Sequence, residues 1–459
     1  MSQNLLLDTD SYKQGHFQFY PPGLSYASSY LEARENDFSD SLVFFGLTPI
    51  IKRLAQGFTK NDIYEASAVC QEHGVPFNKA GWLKMYSDHG GQFPVLIRAL
   101  PEGTRAPVGV PLLITESTNP EYAWLPSWLE TQLMRVWYPI TVATKSALVK
   151  HILLAAAKRT CDNTDHVRYQ LHDFGSRGVS CPEQAAIGGA AHLTQFMGTD
   201  TMTALQFIQQ NYPTQAGLAV GHSVPATEHS TVTTWGRNGE QASFRHALEQ
   251  IPNGILSVVS DTYNLKEAVQ FWCSQSEAVT AQSTRLVVRP DSGDPVATVL
   301  YCVHALAKAF GTTQNSLGFN ELNNCSVIQG DGIDIEQIED ILSELEKNKF
   351  ASSNVVFGMG AGLLQKVNRD TLRFAYKTSY AHSDKYRGPV GKDPTTDPTK
   401  KQKMGLVDTT YSSADRLVCV YRQYAESTLT SALTPYYSCG EVSSYYDFDS
   451  IRRAASLVL

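Results

Sequence analysis

Four short apolar runs in the second half of the chain each end in a polar, glycine-rich or acidic loop that opens a helical stretch. The runs are 255–260, 285–289, 326–329 and 354–357. Their loops read Asp261-Thr262-Tyr263-Asn264, Pro290-Asp291-Ser292-Gly293-Asp294, Gly330-Asp331-Gly332 and Gly358-Met359-Gly360-Ala361-Gly362. Helices are expected over 265–274, 295–310, 334–349 and 363–369. Strand, loop and helix, repeated roughly every thirty to forty residues, is the pattern of a parallel α/β fold. Such folds carry their chemistry on loops at the C-terminal strand ends, where the polar residues fall here. These loops suit an enzyme that handles a phosphorylated substrate.

The alternation begins near residue 166. A strand over 167–171 leads into His172-Asp173-Phe174-Gly175-Ser176-Arg177-Gly178. A helix is expected from Pro182, a favoured first helical residue, to Met197, with Gly198 as its stop. A second should run from about Thr199-Asp200 to Tyr212, and a further strand over 216–220 should lead into Gly221-His222-Ser223. Six or more such units in about 200 residues suit a closed barrel better than an open sheet. The expected organisation is a mixed region over 1–165, an α/β barrel over 166–370 and a C-terminal part over 371–459. The first contains helical stretches at 125–137 and 144–157 and strands at 95–100 and 111–115. In the last, the polar stretch 386–404 reads as a long loop of the functional kind, and the final forty residues look β-rich. No internal repeat is evident.

With 459 residues, 42% of them hydrophobic, the chain can bury more than one core and is not a disordered sequence. A net charge of −7 argues against a general nucleic-acid coat. No apolar run of membrane-spanning length stands out, so no membrane partner is expected. The eight cysteines form no CxxC pair, and Met1-Ser2-Gln3-Asn4 does not begin a signal peptide. The expectation is a cytoplasmic protein with reduced thiols.

Residue chemistry narrows the candidates. Gly358 to Gly362 ends a strand and opens a helix, so backbone N–H groups could receive a phosphate, with Arg369 adding charge; the same glycines also make a plain tight turn. Arg289 and Asp291 flank a proline at a strand end, where Arg289 could hold a phosphate or a carbonyl and Asp291 sugar hydroxyls or a hydrated metal, or the two could pair with each other. Gly330-Asp331-Gly332 could bond a ribose diol or simply turn. His229 has Glu228 and hydroxyls beside it in a loop, which fits nucleophilic or acid–base work, although it matches no Ser-His-Asp spacing. Asp200 at a helix start also reads as an N-cap. Phe174 and Arg177 after a strand could hold a flat ring, or Phe174 could be core. No metal triad is seen.

Taken in order along nearly the whole chain, these segments resemble the nicotinamide phosphoribosyltransferase family. The matching pieces are Thr9-Asp10-Ser11-Tyr12-Lys13, Glu32-Ala33-Arg34-Glu35, 171–180, Gly198-Thr199-Asp200-Thr201, 223–231, Arg289-Pro290-Asp291-Ser292-Gly293, 327–332, 362–366 and Lys392-Asp393-Pro394 with Asp397-Pro398. The resemblance implies a type II phosphoribosyltransferase: an α/β barrel with a second, β-rich α+β domain built from the N- and C-terminal parts, working as a homodimer with shared active sites. The implied reaction converts nicotinamide and phosphoribosyl pyrophosphate to nicotinamide mononucleotide and pyrophosphate, in NAD salvage. By carry-over, Phe174 and the partner subunit's Tyr12 sandwich the pyridine ring. Asp200, Arg289, Arg177, Asp10 and Ser223 complete that pocket. Asp291, Gly330 and Asp331 hold the ribose, and Gly360, Ala361, Gly362 and Arg369 its phosphate. Arg34, Lys377, Lys392 and Lys400 meet pyrophosphate or ATP. His229 matches a histidine that ATP phosphorylates, with Glu228 and Asn264 beside the chemistry. Mg²⁺ is expected on the pyrophosphate. Two residues depart from the pattern: Asn264 stands where the family is expected to carry the aspartate that orients the histidine, and Ala361 replaces a glycine. The alternatives are a nicotinate phosphoribosyltransferase and a non-catalytic binding protein of the same fold. An ionised Asp200 would repel the carboxylate of nicotinate and accept from an amide, which separates the first; the intact set of acids and arginines argues against the second.

Overall fold

A computed structural model describes residues 4–35, 41–396, 401–424, 430–443 and 446–456. The chain divides into two compact units. One comprises 1–144, 209–215 and 368–459, and the other 145–208 and 216–367. The cuts thus fall at 144/145 and 367/368, against the expected 165 and 370, and the short segment 209–215 belongs with the chain ends.

The second unit is built on six parallel strands in the order Gly198–Thr199, Leu171–Asp173, Val355–Met359, Cys325–Gln329, Thr284–Arg289, Gly254–Val259. The four founding strands lie within a residue or two of their expected places. Leu286, Val288, Val327 and Val355 are fully buried, each contributing about 1.5–3 kcal/mol by leaving water. The two edges of the sheet are joined by one segment: His222 bridges Gly198, and Ala226 bridges Ser257. Thr199 N–H donates to the His222 carbonyl (3.0 Å), and Ser257 N–H to the Pro225 carbonyl (2.9 Å). The ring is therefore closed and the edges do not stay open. Closure is made by 222–226 and not by the expected strand at 216–220, which forms a turn and irregular chain. Pro225 lacks an N–H and cannot complete a ladder, so the closing segment stays at single bridges.

Three other expectations shift. The run 167–171 is a 3₁₀ turn, Asp165–Tyr169, and the strand starts at Leu171. The helix from Pro182 ends at His192, and Gly198 is a strand residue and not a helix stop. The next helix is Met202–Asn211. The reason for Gly198 is packing. A Cβ there would sit 2.6 Å from His172 Nδ1, and a Cβ on Gly358, on the other side of His172 in the sheet register, would sit 2.1 Å from Phe174 Cε2. Both positions must be glycine to leave room for these rings.

The helices after three successive strands start the same way. Asn264, Asp294 and Asp334 cap Leu265–Ser274, Pro295–Phe310 and Ile335–Lys347, each accepting backbone N–H bonds of the first turn. Each cap stands three residues after an aspartate near the strand end: Asp261, Asp291 and Asp331.

The first unit carries a seven-stranded antiparallel sheet in the order Arg387–Pro389, Phe374–His382, Tyr26–Ala33, Leu113–Ser117, Val95–Ala99, Thr434–Ser438, Glu441–Val442. Strands from both chain ends interleave, as the β-rich domain expected from the resemblance requires. The C-terminal part also ends in a helix, Phe448–Ser456, which the β-rich reading missed. One helix among the described residues, Trp137–Thr160, is long and apolar enough to cross a membrane, although no such run was expected. Its most apolar stretch is 67% buried inside the protein, so its apolar surface is spent on packing.

Candidate active site

Within the barrel unit a cavity of about 690 Å³ reaches from Phe174, Asp200 and Arg289 at the C-terminal strand ends to Arg285 and Ser326 near the strand starts. Its upper end gathers residues that are far apart in sequence. Asp200 Oδ1 accepts from His172 Nε2 (2.9 Å) and from Ser223 Oγ (2.6 Å). Burial raises the Asp200 carboxyl, but His172, Ser223 and the Arg289 charge together hold it below its usual value. It is therefore an ionised acceptor at neutral pH. Asp200 is not the cap of the following helix, whose first residue is Met202. The Phe174 ring lies 5.2 Å from the His172 ring, and Arg289 lines the same space with its Nε buried and without a hydrogen-bond partner among the described residues. An aromatic face, an anion and a guanidinium around one cavity can hold a flat ring bearing a polar amide. His172 was not among the expected residues; its signal was the strand register, which puts it between two glycines.

Beside this cavity in the same unit, His229 opens the short helix His229–Thr233. Its Nε2 lies 3.2 Å from Asp261 Oδ1, and its Nδ1 is 3.9 Å from Asp291 Oδ2. Ser292 Oγ donates to Asp261 Oδ2 (2.5 Å), which fixes the carboxylate. The acid that orients His229 is Asp261 and not residue 264. Asn264 accepts from the N–H groups of Lys266 (3.1 Å) and Glu267 (3.4 Å) and donates to Glu267 Oε1 (2.8 Å). It is a helix cap, so its lack of charge says nothing about the histidine. Glu228 likewise caps its own helix in a box with Thr231.

Asp291 lies 3.8 Å from Arg289, and a Cβ on Gly330 would be 3.0 Å from Phe174 and 3.9 Å from Asp291 Oδ1, so these three residues share the strand-end surface. Asp331 is exposed beside them, its carbonyl accepting from Gln329 Nε2 (2.9 Å). The glycine loop opens a helix of four residues, Ala361–Leu364, shorter than expected. Gly360 lies against the Phe174 backbone, and Ala361 packs beside Gly178. Beneath the loop the buried Lys145 donates to the Gly362 carbonyl (2.6 Å). Burial lowers this lysine's pKa, with Asp334 opposing. Sequence reasoning missed it because it arrives from the helix Trp137–Thr160, 217 residues away in sequence. Arg177 is exposed on the turn Ser176–Gly178 that follows Phe174.

The other unit holds a charged cavity of about 630 Å³ that brings together Arg34, Lys377 and Arg369 with Arg373, Lys401 and Lys403. Arg34 Nε is 3.0 Å from Glu32 Oε1, and Lys403 Nζ pairs with Glu32 Oε2, so one buried carboxylate orients two cations. Burial lowers the Lys377 pKa, with Glu130 opposing. Arg369, expected with the glycine loop, is thus grouped with Arg34 and Lys377. Lys392 is exposed, its backbone N–H bonded to Gln402. Lys400, Asp397 and Pro398 lie outside the described residues. Asp10 accepts from Thr131 (2.6 Å), and Tyr12, 60% exposed, lies tilted against His16 with ring centroids 5.0 Å apart, both in this unit.

A parallel barrel with its polar side chains on the C-terminal loops, in a chain that also carries an antiparallel sheet unit, is the architecture expected of a type II phosphoribosyltransferase. Two solved structures share the fold over nearly the whole chain. Nicotinate-nucleotide pyrophosphorylase from Pyrococcus furiosus is 14% identical with a TM-score of 0.61, covering 98% of this chain and 94% of that one. Human nicotinic acid phosphoribosyltransferase is 18% identical with a TM-score of 0.58, covering 97% and 92%. The profile of the nicotinate phosphoribosyltransferase (NAPRTase) family matches residues 169–425, and that of the nicotinamide phosphoribosyltransferase N-terminal domain matches 4–97. Nicotinamide phosphoribosyltransferase of Xanthomonas campestris pv. campestris is 45% identical, over 88% of this chain and 86% of its own length. That of Acinetobacter baylyi is 33% identical over 98% and 96%. The chain belongs to the nicotinamide phosphoribosyltransferase family.

Proposed function

We propose that the protein transfers the phosphoribosyl group of phosphoribosyl pyrophosphate to nicotinamide, forming nicotinamide mononucleotide and pyrophosphate in NAD salvage. The observation that carries the choice of base is Asp200, an ionised acceptor held beside Phe174 and Arg289. A carboxamide N–H₂ satisfies it; the carboxylate of nicotinate would meet a like charge. Phe174 stacks on the ring, with Arg289 near the carboxamide oxygen. The pyridine nitrogen then attacks C1 of the ribose as the C1–O bond to pyrophosphate breaks. Asp291, Gly330 and Asp331 take the ribose hydroxyls, and the 360–362 loop the 5′-phosphate. Arg34 and Lys377 neutralise the leaving pyrophosphate across the dimer interface, where charge develops. Mg²⁺ is proposed to be carried by the pyrophosphate.

His229 is the proposed acceptor of a phosphoryl group from ATP. Asp261 takes the proton-bearing Nε2, which leaves the Nδ1 lone pair to attack the γ-phosphorus with ADP leaving. We further place the enzyme in the cytoplasm as a homodimer, with the exposed Tyr12 completing the ring pocket of the partner. Product analysis with nicotinamide and nicotinate in parallel, with and without ATP, tests the reading. Nicotinamide mononucleotide should dominate and rise with ATP; a preference for nicotinate would overturn it.

A further inference from the structure

The hydrogen-bond pattern on Asp200 is lopsided. Both side-chain donors, His172 Nε2 and Ser223 Oγ, fall on Oδ1, and among the described residues none reaches Oδ2. An ionised carboxylate can only accept, so Nε2 of His172 carries the hydrogen of this bond. That ring cannot drift. It is inward-facing on the strand Leu171–Asp173, only 12% exposed, and clasped between Gly198 and Gly358. A Cβ at 198 would already press on Nδ1 at 2.6 Å. Asp200 itself is half exposed, so nothing in its own burial holds its carboxylate plane. The charged or titratable groups facing it are His172 and Arg289; Asp173, the next residue on the strand, is turned to the buried side.

We propose that His172 is the positioning residue behind the choice of base: by pinning Oδ1 of Asp200 together with Ser223, it keeps Oδ2 turned to the ring pocket as the acceptor for a carboxamide N–H. This rests on the reading of Asp200 as the carboxamide's partner. Without the pin, the carboxylate swings about its side-chain torsions and Oδ2 is satisfied by water, so the amide loses its aligned acceptor. Gly198 leaves the room this ring needs beside Nδ1.

The test compares His172→Asn, whose amide is too short to reach Oδ1, with His172→Gln, whose amide reaches about as far as Nε2. Steady-state kinetics with both bases, calorimetric binding of nicotinamide and the pH profile of kcat/KM are read on the full chain. In His172→Asn the kcat/KM ratio of nicotinamide over nicotinate should fall about tenfold or more, the low end of one charge-assisted hydrogen bond. The fall should lie mainly in the KM for nicotinamide. The acid limb of its kcat/KM profile should move to higher pH, because the carboxyl has lost a donor that holds it low. His172→Gln should keep most of the preference and the wild-type limb, and Ser223→Ala should move both in the same direction by less. A His172→Asn enzyme with unaltered preference and limb overturns the proposal, as does a His172→Gln enzyme that loses as much as His172→Asn. Asp200→Asn separates the two levels. If it leaves the preference unchanged, the reading of Asp200 fails; if it changes the preference while His172→Asn does not, only the role of His172 fails.

Discussion

Replacing Asp261 by Asn should uncouple ATP from turnover, and replacing Asn264 should not. The bond from His229 Nε2 to Asp261 is 3.2 Å, and the carboxylate is only 5% exposed. When the imidazole gains a phosphoryl group, positive charge grows on the ring. At this distance and an effective dielectric of about 20 a full charge pair is worth about 5 kcal/mol. His229 is 44% exposed, so solvent screening removes much of that. One charge-assisted hydrogen bond, about 1.5–3 kcal/mol, is the better figure, or about ten- to 150-fold in phosphorylation. Asn at 261 keeps the shape and an acceptor while losing the charge. Labelling of His229 from γ-labelled ATP should fall by that factor, and ATP stimulation of nicotinamide mononucleotide synthesis should fall with it, leaving the basal rate. Asn264→Ala removes a helix cap and should cost about 1 kcal/mol of stability, read by denaturant unfolding, with ATP coupling unaltered. Asn264→Asp should do nothing to coupling, because Asp caps as well as Asn. Stronger stimulation in Asn264→Asp alongside unaltered stimulation in Asp261→Asn would refute the assignment.

Three further outcomes follow from the geometry. Asp200→Asn removes the negative charge and can donate as well as accept, so a folded variant should lose nicotinamide activity and gain relative activity with nicotinate, a shift in kcat/KM ratio of about a thousandfold; an unchanged ratio would reject the specificity role. Mixing Tyr12→Ala chains with Asp200→Ala chains should recover part of the activity through hybrid sites, and no recovery after proven subunit exchange would count against a shared site. His192 is fully buried and its pKa is pushed down to about 3 by burial, so it stays neutral in the fold and charges in the unfolded chain. The unfolded state therefore binds the extra proton between about pH 6.5 and 3, and stability is full above that window and lost as pH falls through it. Acid-unfolding curves of a folded His192→Gln variant should be flatter in that window; an unaltered slope would sink the point.

The alternation of strands and helices was legible in the sequence because it is local: apolar runs of strand length, proline at helix starts and capping side chains act over a few residues. The helices Leu265–Ser274 and Pro295–Phe310 fall on their expected bounds for that reason. The ordered motifs also marked Phe174, Asp200, His229, Arg289 and Asp291 as worth attention. Which acid faces the site was not legible. The loops repeat an Asp followed three residues later by Asn or Asp, at 261 and 264, 291 and 294, 331 and 334. Both positions carry a polar side chain suited to a cap or to a ligand, and only the direction of the chain as it leaves the strand separates them. The first member stays on the strand-end surface; the second turns back to bond the helix N–H groups. Barrel closure by 222–226, the inward direction of His172 and the arrival of Lys145 beneath the Gly362 loop are of the same kind. Each depends on contacts between segments distant in sequence, where strand register and helix packing, and not local propensity, decide which side chain meets which.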